Sequence, residues 1–332
     1  MNQNSTICEN AAIQVDNVYK SFGKVKALSG IDIQVDSGIV FALLGPNGSG
    51  KTTLIRILTT LLRPDSGTAT VGGFDVEREP AKIRPIIGLA GQYPAVDENL
   101  TGKENLEMMG RLYHLGRRQS IQRAIELLEH FDLSDAASRR AKTYSGGMRR
   151  RLDLAAALVA NPSILFLDEP TSGLDPRSRI GLWEVIKSQA NQCNSVFLTT
   201  QYLEEADRLA DRIAIMEKGK IIQEGTPQEL KDCCGGETQV RMRLTDRAQT
   251  SCTLELLKEI AKGKINENGE MGEISFPAPE GTSVLADIVR KLDANGIELA
   301  ELGLTQPTLD DVFLSITGHT AEEEAEKNNN KR

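Results

Sequence analysis

Excess basic charge, paired cysteines and long apolar runs are all missing from this sequence, and each absence weighs against a class of function. Lysine and arginine number 39 against 47 aspartates and glutamates, a formal net charge of -8. Sequence-independent nucleic-acid binding needs basic surface, so no nucleic-acid partner is expected. The five cysteines, Cys8, Cys193, Cys233, Cys234 and Cys252, form no CxxC pair, and there are three histidines. Neither a zinc spacing nor a histidine metal cluster is expected, and free thiols in a reducing cytoplasm are the simpler reading. No stretch reaches the ~18 apolar residues of a membrane span. The polar first residues, 1–12, lack the apolar stretch of a secretory signal and are expected to be flexible. If the protein works at a membrane, a partner must supply the spanning part.

What is present is a soluble, globular composition, 39% hydrophobic and 26% charged over 332 residues, enough for one large domain and a smaller one. Ile31, Ile33 and Val35 alternate with polar residues as in a half-buried strand. The apolar run Ile39–Leu44 then leads through Gly45–Gly50 into a helical pattern, Lys51–Leu62. Apolar runs of strand length recur at Ile86–Ala90, Ile164–Leu167, Val196–Thr199 and Ile213–Met216, with helical patterns between several of them. This is an α/β pattern with a largely parallel sheet flanked by helices. Thr101-x-x-Glu104 and Thr226-Pro227-x-Glu229 read as helix starts, and Glu217–Lys220 as a hairpin turn. The pattern breaks near Cys233–Glu237, which bounds a first domain at 13–234. Beyond it, strands at Val240–Leu244, Gly272–Phe276 and Glu298–Leu302 alternate with helices at Thr253–Ala261, Ser283–Asn295 and Leu309–Ile316. These predict a small α/β domain over 237–318, followed by a disordered Glu-, Lys- and Asn-rich tail at 320–332.

Gly45-Pro46-Asn47-Gly48-Ser49-Gly50-Lys51-Thr52 fits G-x-x-x-x-G-K-[ST] between a strand and a helix. Glycines let such a loop turn its backbone N–H groups toward phosphate oxygens, and the helix that follows aims its positive end at the same anion. Lys51 would contact the β- and γ-phosphates, and Thr52 would place its hydroxyl on Mg²⁺. Ile164–Leu167 is an apolar strand running into Asp168 and Glu169. Carboxylates there are costly unless they meet a cation or hydrogen bonds. Asp168 would hold Mg²⁺ through water, and Glu169 would align or deprotonate the attacking water. The two motifs together point to an NTPase.

Tyr144-Ser145-Gly146-Gly147-Met148-Arg149-Arg150-Arg151, shortly before Asp168, resembles the signature motif of ATP-binding cassette (ABC) proteins. Tyr144 and Met148 stand where most members have Leu and Gln, and the Ser-Gly-Gly core is intact. For Arg149–Arg151 a solvated basic face is the reading adopted. The resemblance covers about Ile13 to Leu230. It implies the P-loop NTPase fold of such cassettes, with an antiparallel β subdomain and a helical subdomain beside the main sheet. It assigns Phe22 to stack on adenine, with Tyr19 as the alternative. It assigns Gln92 to sense Mg²⁺ and the γ-phosphate, and Asp175, in Ser172-Gly173-Leu174-Asp175, to the loop that communicates across a dimer. The implied ATP-binding set is therefore Phe22, Gly45 to Thr53, Gln92, Ser145, Gly146, Gly147 and Asp175. Thr52, Gln92 and Asp168 would hold the metal.

Most cassettes place a histidine where this chain has Gln201, after Val196–Thr200. Glutamine can donate a hydrogen bond to phosphate but cannot become cationic, so Lys51, Glu169 and Gln201 form the implied catalytic set. Leu198-Thr199-Thr200-Gln201-Tyr202-Leu203-Glu204-Glu205-Ala206, the signature itself and Pro307-Thr308-Leu309-Asp310-Asp311-Val312-Phe313 resemble the daunorubicin-resistance branch of drug exporter ATPases. That branch implies ATP and Mg²⁺ as cofactors, a homodimer of cassettes, an integral membrane permease touched by about Tyr93 to His114, and a place on the cytoplasmic face of the membrane. Ordinary packing is the alternative for Tyr93, Tyr113 and His114. A soluble cassette acting on ribosomes or DNA, an import ATPase, and a lipid, peptide or polysaccharide transporter are the other function readings.

Overall fold

The computed structural model describes residues 11–190, 194–233, 239–258, 260–261, 265–268, 273–278, 282–305, 308–310 and 312–313. The expectations for Cys8, Cys193, Cys234, for most of the first twelve residues and for the tail at 320–332 lie outside them. The chain divides into two compact units after Pro227.

The first unit opens on two long strands, β1 (Ile13–Phe22) and β2 (Val25–Val35), then β3 (Val40–Leu44) and helix α1 (Lys51–Leu58). Short strands β4 (Ser66–Val71) and β5 (Phe74–Asp75) follow, then α2 (Pro80–Ile83) and β6 (Ile87–Ala90). Three helices come next, α3 (Gly102–Leu112), α4 (Arg117–His130) and α5 (Gly146–Ala157). The unit continues with β7 (Ile164–Asp168), α6 (Pro176–Ala190), β8 (Ser195–Thr200), α7 (Leu203–Leu209), β9 (Arg212–Glu217) and β10 (Lys220–Gly225).

Two sheets result. The antiparallel one has the order β2-β1-β4-β5, and Ala12, bonded to the Val35 carbonyl, already belongs to it. The other has the order β10-β9-β3-β8-β7-β6 and is parallel except for β10. The continuous apolar runs of β3 and β7 are buried on both faces, as central parallel strands require. Phe41, Phe197 and Phe166 stand level on β3, β8 and β7, with ring centroids 5.5 and 5.7 Å apart. This row pins the register of the three strands that carry the site. It belongs to one core with Leu54, Ile57 and Leu58 of α1 and Ile13 and Val15 of the antiparallel sheet.

Helix α1 is shorter than the Lys51–Leu62 pattern suggests. Thr60 takes a left-handed φ of 63°, and the Thr60 and Leu61 amides bond back to Ile57 and Arg56. That is a Schellman stop without its usual glycine. The start of α3 is as expected. Thr101 accepts from the Glu104 amide at 3.1 Å, and Glu104 accepts from the Thr101 amide at 2.8 Å. The turn between β9 and β10 has left-handed Lys218 and Gly219, φ 47° and 77°, the form that joins two strands through two residues.

The second unit takes in α8 (Pro227–Cys233), β11 (Gln239–Leu244), α9 (Thr250–Leu257), β12 (Asn266–Asn268), β13 (Glu273–Pro277), α10 (Thr282–Ala294) and β14 (Leu299–Thr305). Its sheet is antiparallel with the order β12-β13-β11-β14, a β-α-β-β-α-β arrangement of the ferredoxin-like kind. The short polar β12 carries no apolar alternation and has no counterpart in the sequence reading. Val240, Met242, Ile274, Phe276, Ile288 and Leu292 form the core. Of the expected final helix, Leu309, Val312 and Phe313 are buried and Asp310 is exposed, and the rest lies outside the described residues.

Candidate functional site

Strands β3, β8, β7 and β6 run parallel and adjacent, so their C-terminal ends bring the expected motifs to one sheet edge. Ligands bind at such edges in open α/β sheets. The phosphate loop leaves β3, Gln201 follows β8, Asp168 and Glu169 end β7, and Gln92 follows β6. The Gly45 amide donates to the Thr200 carbonyl at 3.2 Å, which ties the loop to the end of β8.

Two glycines of the loop are required by geometry. A Cβ on Gly45 would stand 2.3 Å from the Met216 carbonyl oxygen. Gly50 has φ 113°, and a Cβ there would meet the Ala27 carbonyl oxygen at 2.5 Å. Gly50 is also the N-cap of α1 and leaves the first-turn amides without a side-chain acceptor, the arrangement that suits an anion. Ser49 Oγ is buried in the loop with no hydrogen-bond partner among the described residues, a polar atom that a phosphate oxygen would satisfy. Thr53 is half-buried in the first turn of the helix.

Lys51 is 4% exposed. Its Nζ donates to the Gly45 and Pro46 carbonyls at 2.7 and 3.1 Å and lies 3.4 Å from Glu169 Oε1. Burial pulls its pKa below the ordinary 10.5, and the nearby Glu169 and Asp168 carboxylates oppose that pull. Asp168 Oδ1 accepts from Thr52 Oγ1 at 3.2 Å and from Thr199 Oγ1 at 2.7 Å. Gln92 Nε2 is 3.4 Å from Thr52 Oγ1. A hydroxyl, a carboxylate and an amide thus converge, with the hard oxygen donors that Mg²⁺ prefers. Glu169 holds a left-handed φ of 48°, and its amide donates to the Thr199 carbonyl at 3.0 Å. A non-glycine residue in that region is strained, and such strain collects at functional sites.

Other expected residues are placed less centrally. Gln201 is half-buried and makes no side-chain hydrogen bond among the described residues. Phe22 ends β1, is 51% exposed, and has Lys20 Nζ 5.8 Å from its ring centre. Tyr19, by contrast, leans on the adjacent strand. A Cβ on Gly30 would lie 2.8 Å from its hydroxyl. Ser145 caps α5 by accepting from the Met148 amide at 3.2 Å, with Gly146 and Gly147 in the first turn. No hydrogen bond joins Ser145, Gly146 or Gly147 to Lys51, Thr52 or Gln92 among the described residues. Asp175 precedes α6 and accepts from the Ser178 hydroxyl and amide at 2.6 and 3.0 Å, which hold its carboxyl below the usual range.

Three residues escape the sequence reading. Thr199 is fully buried and holds Asp168 from the next strand. A hydroxyl inside an apolar strand beside a carboxylate strand was its signal. Glu205 is fully buried on α7, with Trp183 Nε1 donating to its Oε1 at 2.9 Å. Burial raises its carboxyl pKa. The Trp183 hydrogen bond pulls the other way, while Oε2 makes no hydrogen bond among the described residues. The third residue, Arg150, corrects the expectation of a solvated basic face. Arg149 reaches Glu98 at 2.8 Å from the surface, and Arg151 is likewise part-exposed, but Arg150 is 6% exposed and paired with Asp153.

Residues 28–172 match the ABC transporter family. Over 311 residues, 94% of this chain and 96% of the other, it is 48% identical to the daunorubicin resistance ATP-binding protein DrrA2 of Streptomyces coeruleorubidus. The chain belongs to the ABC transporter ATP-binding family. Its members' cassettes hydrolyse ATP, and the first unit is such a cassette. The chain is also 35% identical over 309 residues to the linearmycin resistance ATP-binding protein LnrL of Bacillus subtilis, covering 93% of this chain and 99% of LnrL. Among solved structures, the ADP conformation of MJ1267, an ATP-binding cassette of an ABC transporter, superposes with a TM-score of 0.60 at 28% identity. It covers 66% of this chain and 92% of MJ1267. The cassette MJ0796, solved as a dimeric post-hydrolysis state bound to ADP and Pi, superposes with a TM-score of 0.59 at 26% identity over 64% of this chain and 98% of that one.

Proposed function

We propose that this ABC ATPase powers efflux of a drug-like or other hydrophobic substrate through a separate integral membrane permease, from the cytoplasmic face of the membrane. The observation that carries this is end-to-end similarity, second unit included, to ATP-binding proteins named for resistance to daunorubicin and linearmycin. No described helix is long and apolar enough to cross a membrane, so we assign the passage to a partner. Tyr93, 87% exposed directly after Gln92, and Leu112, 64% exposed at the end of α3, are the side chains we assign to permease contact.

In this reading the γ-phosphate competes with the Glu169 carboxylate for Lys51, and binding releases Glu169 to orient and deprotonate the attacking water. Thr52, Asp168 and Gln92 would hold Mg²⁺, which supplies positive charge to the β- and γ-oxygens when bound. Thr199 keeps the Asp168 carboxylate in place. Phe22 stacks on the adenine, because it is free at a strand end while Tyr19 is packed on Gly30. Gln201 donates a hydrogen bond to phosphate without adding charge. The signature Ser145–Gly147, not bonded to its own phosphate loop, completes the site of a second copy, so that two chains enclose two ATP. Asp175, just before α6, is assigned to the loop that communicates with that copy.

The test is to purify the tagged protein from membranes of its own cell in mild detergent. A multi-span membrane protein in about equal amount supports the export reading. Ribosomes or DNA complexes in its place would overturn it and leave the ATPase chemistry intact.

A further inference from the structure

The Gln92 loop is held at both ends by one buried ion pair on the signature helix. Arg150 Nη1 donates to the Gly91 carbonyl, just before Gln92. Its partner Asp153, with Oδ2 3.1 Å from the same Nη1, accepts the Ala95 amide on Oδ1 at 2.7 Å, just after the loop. The remaining edges of the guanidinium reach β7. Nε donates to the Pro170 carbonyl at 2.7 Å and Nη2 to the Asp168 carbonyl at 3.2 Å. Arg150 and Asp153 are 6% and 2% exposed. The planar fork of arginine can serve three carbonyls and a carboxylate at once. A lysine ammonium has three donors on one point and cannot span them. The helix that carries the pair is the one whose first turn is Ser145–Gly147.

We propose that Arg150, with Asp153, is a positioning residue for ATP hydrolysis that locks the Gln92 loop, the Asp168–Pro170 turn and the signature helix into one rigid unit. Gln92 meets Thr52 only if Gly91 and Ala95 are fixed, and the pair fixes both. A displacement of the loop by whatever docks on Tyr93 is then passed directly to the signature that serves the second copy. The proposal rests on the reading of Gln92 and Asp168 as parts of the nucleotide site.

The experiment compares full-length wild type with Arg150→Gln, Arg150→Lys, Asp153→Ala and the Arg150→Gln/Asp153→Ala double variant. The readouts are steady-state ATPase kinetics and hydrogen exchange followed by mass spectrometry. For Arg150→Gln the expected result is a kcat lower by about tenfold or more, with KM for ATP changed less than about threefold, as for a geometric misplacement. Exchange should quicken selectively at residues 91–98 while peptides from β3, β7 and β8 keep wild-type protection. Arg150→Lys should not rescue either readout, and the double variant should be no slower than the slower single variant. If Arg150→Gln does not fold, Asp153→Ala carries the same test, because it releases Ala95 while leaving Arg150 its three carbonyls. Wild-type kcat with wild-type exchange at 91–98 would overturn the proposal. So would loss of protection spread evenly over the first unit, which is what a purely structural role predicts. Lys51→Ala serves as the control. Normal turnover there would refute the nucleotide site itself, whereas the exchange at 91–98 reports on the Arg150 bracket alone.

Discussion

Lys51 has two claims on its charge. The loop carbonyls and Glu169 hold it in place, and burial works against it. The β- and γ-phosphates of a nucleotide bring more negative charge and more acceptor oxygens to this desolvated ammonium than the single Glu169 carboxylate does. Lys51→Ala is therefore expected to lower ATP turnover by at least about a hundredfold, measured as phosphate release. Glu205 makes a separate prediction about stability. Burial raises its carboxyl above the ordinary 4.5, so the folded chain retains a proton that the unfolded chain gives up. The resulting stability is complete below the unfolded value and is lost as pH rises through the folded one. Glu205→Gln does not titrate, so the variant should gain on wild type as pH rises above the ordinary glutamate range, seen as a shift in urea midpoint. An unchanged gap would show that Glu205 is already ionised there. The residues that declare themselves in the sequence are those with fixed spacing, such as Lys51, Thr52, Asp168 and Ser145. Thr199, Arg150 and Glu205 do not, because their roles come from neighbours distant in the chain.

Elements were legible where local chemistry sets their limits. The Thr101–Glu104 cap starts α3 as its spacing implies, since both bonds lie within one turn. Thr101→Ala should cost about 1 kcal/mol of stability, read from a denaturant midpoint, with ATP turnover little changed. The end of α1 was not legible, because Thr60 adopts the left-handed turn that glycine usually marks. Strand β12 was hidden for a different reason. Asn266, Glu267 and Asn268 pair with β13 through the backbone, and nothing in their side chains shows it. The basic run at Arg149–Arg151 misleads in the same way. Charge alone does not show that the middle arginine turns inward to three carbonyls.

At the scale of the whole molecule, the sequence motifs announce an ATPase, but the strand order explains why they meet. Strands β3, β8, β7 and β6 are far apart in the chain and adjacent in the sheet, and only their parallel pairing gathers Lys51, Gln201, Asp168 and Gln92 at one edge. That order depends on long-range contacts, such as the Phe41–Phe197–Phe166 row, which no short window of sequence contains. Among the described residues, Ser145, Gly146 and Gly147 make no hydrogen bond to Lys51, Thr52 or Gln92 within one chain, and on this rests the central claim that two copies share each ATP. The most direct test is sedimentation of Glu169→Gln with and without ATP. Removing the carboxylate that pairs with Lys51, to which we assign the activation of water, should leave ATP bound at least as tightly and not hydrolysed. The account predicts a dimer holding two ATP, formed only with the nucleotide and abolished by adding Ser145→Arg. A Glu169→Gln chain that binds ATP and stays monomeric, or one that hydrolyses it at the wild-type rate, would contradict the account.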